Sequence, residues 1–469
     1  MKTTLTEKIG FEYIRSLLTC SSPYGTENIR KLSPYKDPVL RDTELENISR
    51  VISSPQDTEK VDRLNRYFMA VKDIRRSIRE LGNGTPDEVS FFEIKRFLLL
   101  LHEIKSVYDS MDMKLSDIDF PNCDDAFGIL NTDGTSSASF FIPDSYSHEL
   151  YKIRAEKREI ERLIRSATDD AQITEYKLRR LEVADSESSE ELRIRRELSE
   201  KLLPYREKLL YATEKIGEAD RIFAKAALAQ KLGAVRPHMH AHHIRMVQMQ
   251  NPAVEKILNE KGQTLTPVDI IAESGSTVIT GANMGGKSIK LRTLALNAYT
   301  AMCGMYVFAQ EAHFPDLEGI SMIAEDSEDL ENGLSTFGGE IMRLKDELKN
   351  TDRKVLLLFD EPARGTNPQE GAKIVRALVK FLNTAQAISV FTTHYDGVAA
   401  CAKRHYRVAG LQTFDFSRAS GKSGLELLSL NMDYSLYEAA PDESCPKEAT
   451  EICKMLLKGE PLLDAILQE

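Results

Sequence analysis

The sequence predicts a multidomain chain of the α plus α/β class: a helical domain over 1–145, an antiparallel coiled-coil hairpin over 146–230, an α/β domain over 231–420 and a helical segment over 421–469. Three observations predict it. A β-branched run, Thr277 to Thr280, leads into a glycine-rich loop and then a helical pattern. Two apolar runs, Val355 to Phe359 and Ala387 to Phe391, end in polar or charged residues, as parallel strands do at the edge that carries chemistry. The residues before about 230 are dominated by helical periodicity.

The length of 469 residues exceeds one compact core and fits two to four domains. A net charge of −11, with 29% charged residues, argues against a generally nucleic-acid-coated protein while leaving room for a local basic face. The chain has no run of 18 apolar residues, and Lys2 and Lys8 flank no apolar signal segment, so the expectation is a cytoplasmic protein without membrane attachment. Cys20, Cys123, Cys303, Cys401, Cys445 and Cys453 form no C-x-x-C pair, the pattern of reduced thiols rather than of a disulfide framework or a zinc site.

Taken in order, residues 11–51 alternate amphipathic helical stretches with Pro, Ser and Gly breaks. Residues 57–110 continue the helical period, with Phe91, Ile94, Phe97, Leu98 and Leu101 on one face. The Asp, Asn, Gly, Ser and Pro content of 111–145 predicts an irregular excursion. Its Asp117, Asp119, Asp124 and Asp125 lack the spacing of a calcium loop, and a solvated loop is expected. Next, Leu150, Ile153, Ile160, Ile164, Ala167, Ala171, Leu178 and Leu181, with Lys157 and Thr174 as the polar occupants of the seam, follow steps of three and four. The pattern halts over 184–191 and resumes from Leu198 to Ala226. Two arms around a polar turn therefore predict the hairpin, each reaching on the order of 55–60 Å, with a break at Pro204.

Prolines 237, 252 and 267 punctuate short β-like runs in 231–280. His238, His240, His242 and His243 lie among them. Their alternation admits a metal site, but no carboxylate or cysteine completes a ligand set, and a half-exposed strand is the expectation. Gly281, Ala282, Asn283, Met284, Gly285, Gly286, Lys287 and Ser288 then form the G-x-x-x-x-G-K-S pattern between a strand and a helix. Such a loop turns successive N–H groups towards phosphate oxygens, and Lys287 adds a positive charge. The Ser288 hydroxyl can join a Mg²⁺ coordination shell, so ATP and Mg²⁺ are the expected ligands. Asp360 and Glu361 follow the next apolar strand, the first suited to Mg²⁺ and the second to orienting or deprotonating water. His394, after a further strand, is in place to meet a γ-phosphate.

The segments ITGANMGGKS, ENGLSTFGGE (Glu331 to Glu340), LLLFDEPARGTNPQEG (Leu356 to Gly371) and FTTHY resemble, in order and spacing, the ATPase domain of the MutS family, a branch of the ABC-type ATPases. The likeness is strong over 275–400 and looser elsewhere. The start of the chain is similar to the family's helical lever domain, the hairpin to its clamp arms, and the C-terminal segment to its helical dimerisation end. The resemblance implies that Gly281 to Ser288 bind ATP, that Ser288 and Asp360 hold Mg²⁺, and that Lys287, Glu361 and His394 are catalytic. It further implies that Ser335 and Thr336 sit in a signature loop reaching the nucleotide of an opposite subunit. A homodimer, or a heterodimer with a related chain, is therefore expected.

Several positions depart from that pattern. No mismatch-reading domain and no nuclease-like domain are legible, so the resemblance is to the branch without the reader. Leu265 stands where an adenine-stacking aromatic is usual, and Pro362 and Ala363 replace an apolar-Gly pair. The expected tip, Asp185 to Glu191, carries Asp185, Glu187, Glu190 and Glu191 without a cation, which disfavours DNA phosphates there. Two functions follow: a dimeric MutS-type ATPase whose turnover moves a lever and clamp on DNA, in mismatch repair or recombination, or an ATP-driven reactivating partner of an enzyme such as a cobalamin-dependent aminomutase, without DNA.

Overall fold

The computed structural model describes residues 4–82, 84–132, 142–282, 285–324, 336–411 and 432–441, with Glu443, Cys453, Leu462 and Leu463. Most of the expected C-terminal dimerisation segment, 421–469, lies outside the described residues. The chain separates into two compact units that interleave: Met1–Leu18, Leu32–Glu46 and Ala227–Glu469 form one, Thr19–Lys31 and Asn47–Ala226 the other. The unit break at 226/227 falls beside the sequence boundary at 230, whereas the breaks at 18/19, 31/32 and 46/47 follow a different division of the chain. The reason is visible in the packing: Phe11, fully buried, meets Tyr299 edge-on at 4.7 Å, far along the chain.

The second unit is helical. Its helix Glu88–Asp109 starts on Asp87, whose carboxylate accepts the Ser90 N–H, and buries the predicted face, Phe91, Ile94, Phe97, Leu98 and Leu101. Buried Asp220 accepts the N–H groups of Ser21 and Ser22, tying a distant helix start to the segment Arg206–Leu232. Of the acidic excursion, Asp119 accepts the Tyr211 hydroxyl and Asp124 meets His102 at 2.8 Å, so both carboxylates have local partners.

The hairpin is present but turns elsewhere than at the polar run. Helix His148–Ser166 reverses at Ala167–Asp169, and helix Asp170–Leu202 runs unbroken through 184–191. The expected tip is therefore corrected to 167–169. Physically, the polar run is a solvated helix face. Ser186 and Ser188 donate to the carbonyls of Glu182 and Ala184, and Glu187 and Glu191 meet Arg154 on the facing arm at 3.0 and 2.8 Å. Farther out, Arg179 pairs with Glu156 and Arg180 with Glu161. Hydrophobic steps alone misread the turn because the period passes through it: Leu150 and Ile160 are buried, whereas Leu178 and Leu181 are 60% and 63% exposed. An arm of 19 residues reaches roughly 28 Å, half the expected length. The Pro204 break is present, a 3₁₀ turn at Leu203–Tyr205.

The first unit holds two sheets among the described residues. Strands β1 (Ile244–Met249), β2 (Val268–Ala272), β3 (Gly275–Thr280), β4 (Glu311–His313), β5 (Gly319–Ile323), β6 (Val355–Asp360), β7 (Ile388–Thr393), β8 (Arg404–Gly410) and β9 (Asp433–Glu438) follow in chain order. β2-β1-β4 is antiparallel; β5-β6-β7-β3-β8-β9 is parallel except for β9. Parallel strands covered on both faces should be apolar throughout. Accordingly, Val355 to Phe359 are buried, and Phe359 stacks on Phe391 of β7 at 4.3 Å. Each such side chain contributes about 1.5–3 kcal/mol. Helix Lys287–Met302 follows β3 and is buried on nearly every side. Among the described residues, no helix is long and apolar enough to cross a membrane.

Candidate active site

The order β6-β7-β3 places three strand ends side by side, because Asp360 is in register with Thr392 and Thr280 with Thr393. The loop after β3 therefore opens beside the residues that follow β6 and β7. Gly281 has φ +150° with its hydrogens against Val408, where a Cβ would approach to 3.0 Å, and Gly286 enters the helix at φ +68°. Both positions favour glycine.

Lys287 is 2% exposed and folds back over this loop. Its Nζ donates to the carbonyls of Gly281 and Ala282 at 2.8 and 2.9 Å and lies 3.2 Å from Glu361 Oε1. The next residue, Ser288, donates its hydroxyl to Asp360 Oδ1 at 2.8 Å. Thr392 donates to the same oxygen at 2.8 Å and accepts the Glu361 N–H at 3.0 Å. Thus Thr392, read in the sequence only as a strand end, holds the two carboxylates in a fixed relation. A hydroxyl and a carboxylate in contact are the hard oxygen donors that suit Mg²⁺.

Glu361 takes φ +48°, and Ala363 φ +62°. Each such non-glycine residue costs of order 1–3 kcal/mol and persists only where its surroundings fix it. Arg364 and His394 approach Glu361 Oε2 at 3.7 and 3.8 Å. His394 Nδ1 is buried without a hydrogen-bond partner, which fits a site that still has an acceptor to receive. The site thus gathers Gly281, Ala282, Gly285, Gly286, Lys287, Ser288, Asp360, Glu361 and His394. Asn283, Met284 and Ser335 lie outside the described residues, and Thr336 is the first residue of helix Thr336–Glu347.

Beside the loop opens a cavity of about 430 Å³, lined among others by Leu258, Leu265, Thr266, Gly286, Lys290 and Tyr434. Leu265 is there, as its position implies, but the aromatic ring comes from Tyr434 on β9. No short-range signal pointed to it, since β9 joins the sheet far along the chain from the loop. Lys290 donates to the Gly285 carbonyl at 3.0 Å and lies 5.8 Å from that ring. Burial, with the neighbouring Lys287 ammonium, pushes Lys290 down to about 8.

The histidine cluster is not a strand face. His240 sits at φ +63° between Asp42 and Asp316, each at 2.7 Å, and His238 stacks on His313 at 4.7 Å. The two carboxylates, Asp316 first, push His240 up from the usual imidazole range. Among the described residues, no group of three His, Cys, Asp or Glu is arranged to hold a metal ion.

Residues 277–433 match the family model MutS domain V. Similar curated proteins include Endonuclease MutS2 of Enterococcus faecalis, 31% identical over 297 residues, covering 62% of this chain and 35% of the relative. Endonuclease MutS2 of Geobacillus thermodenitrificans is 33% identical over 223 residues, covering 47% and 28%. The chain spans about a third of the length of these relatives.

Proposed function

We propose, from the match of residues 277–433 to MutS domain V, that the chain is an ATPase of the MutS type that binds Mg-ATP at Gly281–Ser288, hydrolyses it, and acts on DNA as a dimer in repair or recombination. The observation that supports this most is the meeting of Lys287, Ser288, Asp360 and Glu361 at one sheet edge. When bound, Mg²⁺ would draw charge from the β- and γ-phosphate oxygens. Ser288 and Asp360 would hold it. Lys287 would neutralise phosphate oxygens, and since those oxygens compete with Glu361 for its ammonium, nucleotide binding would release the carboxylate towards water. Glu361 would then take the proton of the attacking water, and His394 would donate to the γ-phosphate.

Adenine would stack on Tyr434, which stands in for the aromatic missing at Leu265. Stacking of a base on an aromatic side chain is worth about 1–3 kcal/mol. Tyr434→Ala is therefore expected to weaken ATP binding roughly ten- to a hundredfold while leaving inorganic triphosphate binding unchanged. Equal affinity of both proteins for ATP in a fluorescence titration would place the base elsewhere.

The DNA reading rests on the family match and not on the hairpin, whose actual turn, Ala167–Asp169 followed by Asp170, again carries carboxylates and no Lys or Arg. One ground for a protein client, the acidic run, lies along the arm instead: Glu187 and Glu191 are in ion pairs with Arg154, and Glu190 bonds Ser147 and Arg193, while the net charge of −11 is unaffected. The relatives are named endonucleases. The proposal takes in DNA association and ATP hydrolysis but not cleavage, because the meeting of Lys287, Ser288, Asp360 and Glu361 supports phosphoryl chemistry on a nucleotide. Signature residues Ser335 and Thr336 would complete the partner's site, and a cytoplasmic location is part of the proposal. Titration of duplex and branched DNA at two salt concentrations, with and without ATP, tests it, with sedimentation of the same samples. Affinity tighter than the non-specific range of about 10⁻⁴–10⁻⁶ M and falling steeply with salt is expected, with a dimer in ATP. Weak binding to every form sinks the DNA part, and a persistent monomer sinks the composite site.

A further inference from the structure

We propose that Glu340 positions Glu361 by holding Ala363, and so links the helix after the signature segment to hydrolysis. The inference rests on Glu361 being the group that activates water. Glu361 and Ala363 both adopt left-handed backbone around Pro362, and the direction of the Glu361 side chain depends on that turn keeping its shape. Thr392 fixes the turn at one end, through the Glu361 N–H. At the other end Ala363 is 2% exposed, and both its peptide groups are met by side chains. Its N–H donates to Glu340 Oε1 at 2.8 Å, and its carbonyl accepts the Tyr395 hydroxyl at 3.0 Å.

These two partners come from different elements. Tyr395 follows β7, and Gly371 leaves room for its hydroxyl, since a Cβ there would lie 2.6 Å from the oxygen. Burial, then the Glu340 and Glu361 carboxylates, push the phenol above its ordinary range, so it remains a donor. Glu340 belongs to helix Thr336–Glu347, one turn in from its start. The residues directly before that helix include Ser335, expected at the opposite subunit's nucleotide. A shift of the helix start would carry the Glu340 carboxylate with it and change the hold on Ala363, and with it the placement of Glu361. No atom of the nucleotide need touch Glu340.

Steady-state kinetics and nucleotide titration of Glu340→Ala, Glu340→Gln, Tyr395→Phe and Glu361→Gln decide the matter. Glu340→Ala should bind ATP as tightly as the parent while its kcat falls roughly ten- to a hundredfold, the scale of a misplaced catalytic group. Glu340→Gln keeps an acceptor oxygen for the Ala363 N–H and should recover most of kcat; Tyr395→Phe should lower kcat without touching affinity. Full kcat in Glu340→Ala beside an inactive Glu361→Gln overturns the positioning role and leaves the functional reading standing. An active Glu361→Gln takes Glu361 out of the chemical step, the part of the functional reading on which the inference rests, and the inference falls with it. If Glu340→Gln is as impaired as Glu340→Ala, charge rather than the hydrogen bond matters, and the inference fails. Should Glu340→Ala not fold, Tyr395→Phe decides alone: an unchanged kcat there overturns the proposal.

Discussion

Glu361→Gln is expected to bind Mg-ATP at least as tightly as the parent and to hydrolyse it roughly a hundred- to ten-thousandfold more slowly, the contribution of a positioned general base. The substitution is nearly isosteric, so the left-handed turn and its bond to Thr392 should survive. What changes is charge. The Lys287 ammonium, 3.2 Å from the carboxylate, loses a competitor and becomes more available to phosphate oxygens. Tight binding without turnover is thus the signature, read by phosphate release together with equilibrium titration. Undiminished phosphate release would take Glu361 out of the chemical step.

Lys287→Ala should fail one step earlier. Its ammonium bridges the Gly281 and Ala282 carbonyls and Glu361 in a buried position, so its removal deletes the main charge offered to the phosphates and leaves the carboxylate unbalanced. ATP affinity is expected to fall by about a hundredfold or more, since charge-assisted contacts to a buried lysine are each worth about 1.5–3 kcal/mol. Thermal melting gives the check. A ligand at a hundred times its Kd stabilises the parent by about 2.7 kcal/mol, and the variant should show almost none of that shift. An equal ATP-induced shift in both proteins would remove Lys287 from the binding site.

Much of this site was legible because its residues sit beside strands that announce themselves. The runs ending at Thr280, Asp360 and Thr393 are apolar where both sheet faces are covered, and the chemistry follows each run directly. The cavity beside the loop was not legible in the same way. Tyr434 reaches it only because β9 pairs antiparallel with β8, a tertiary event without a local pattern. The hairpin turn is hidden for a different reason: the three-four spacing of Ile164, Ala167 and Ala171 continues through a three-residue reversal, and the polar run at 184–191 reads as a turn although its charges answer Arg154 and Lys157 across the arms. Periodicity reports which face is apolar, not where a chain doubles back. The interleaved units escaped notice too, since nothing near Phe11 names Tyr299 as its neighbour.

That interleaving shapes how the chain folds as it is made. Ile9, Phe11 and Ile14 are buried, yet Tyr299, on which Phe11 rests, is made about 290 residues after them. At a synthesis rate of about 5–20 residues per second the delay is roughly 15–60 s, long compared with the microseconds to seconds in which small domains fold. The helical unit, whose residues all lie before 227, can be complete while the first segment still waits with its apolar side chains uncovered. The segment around Phe11 therefore goes without its packing partner until Tyr299 has been made, and the strand ends at Asp360 and Thr393 follow later still.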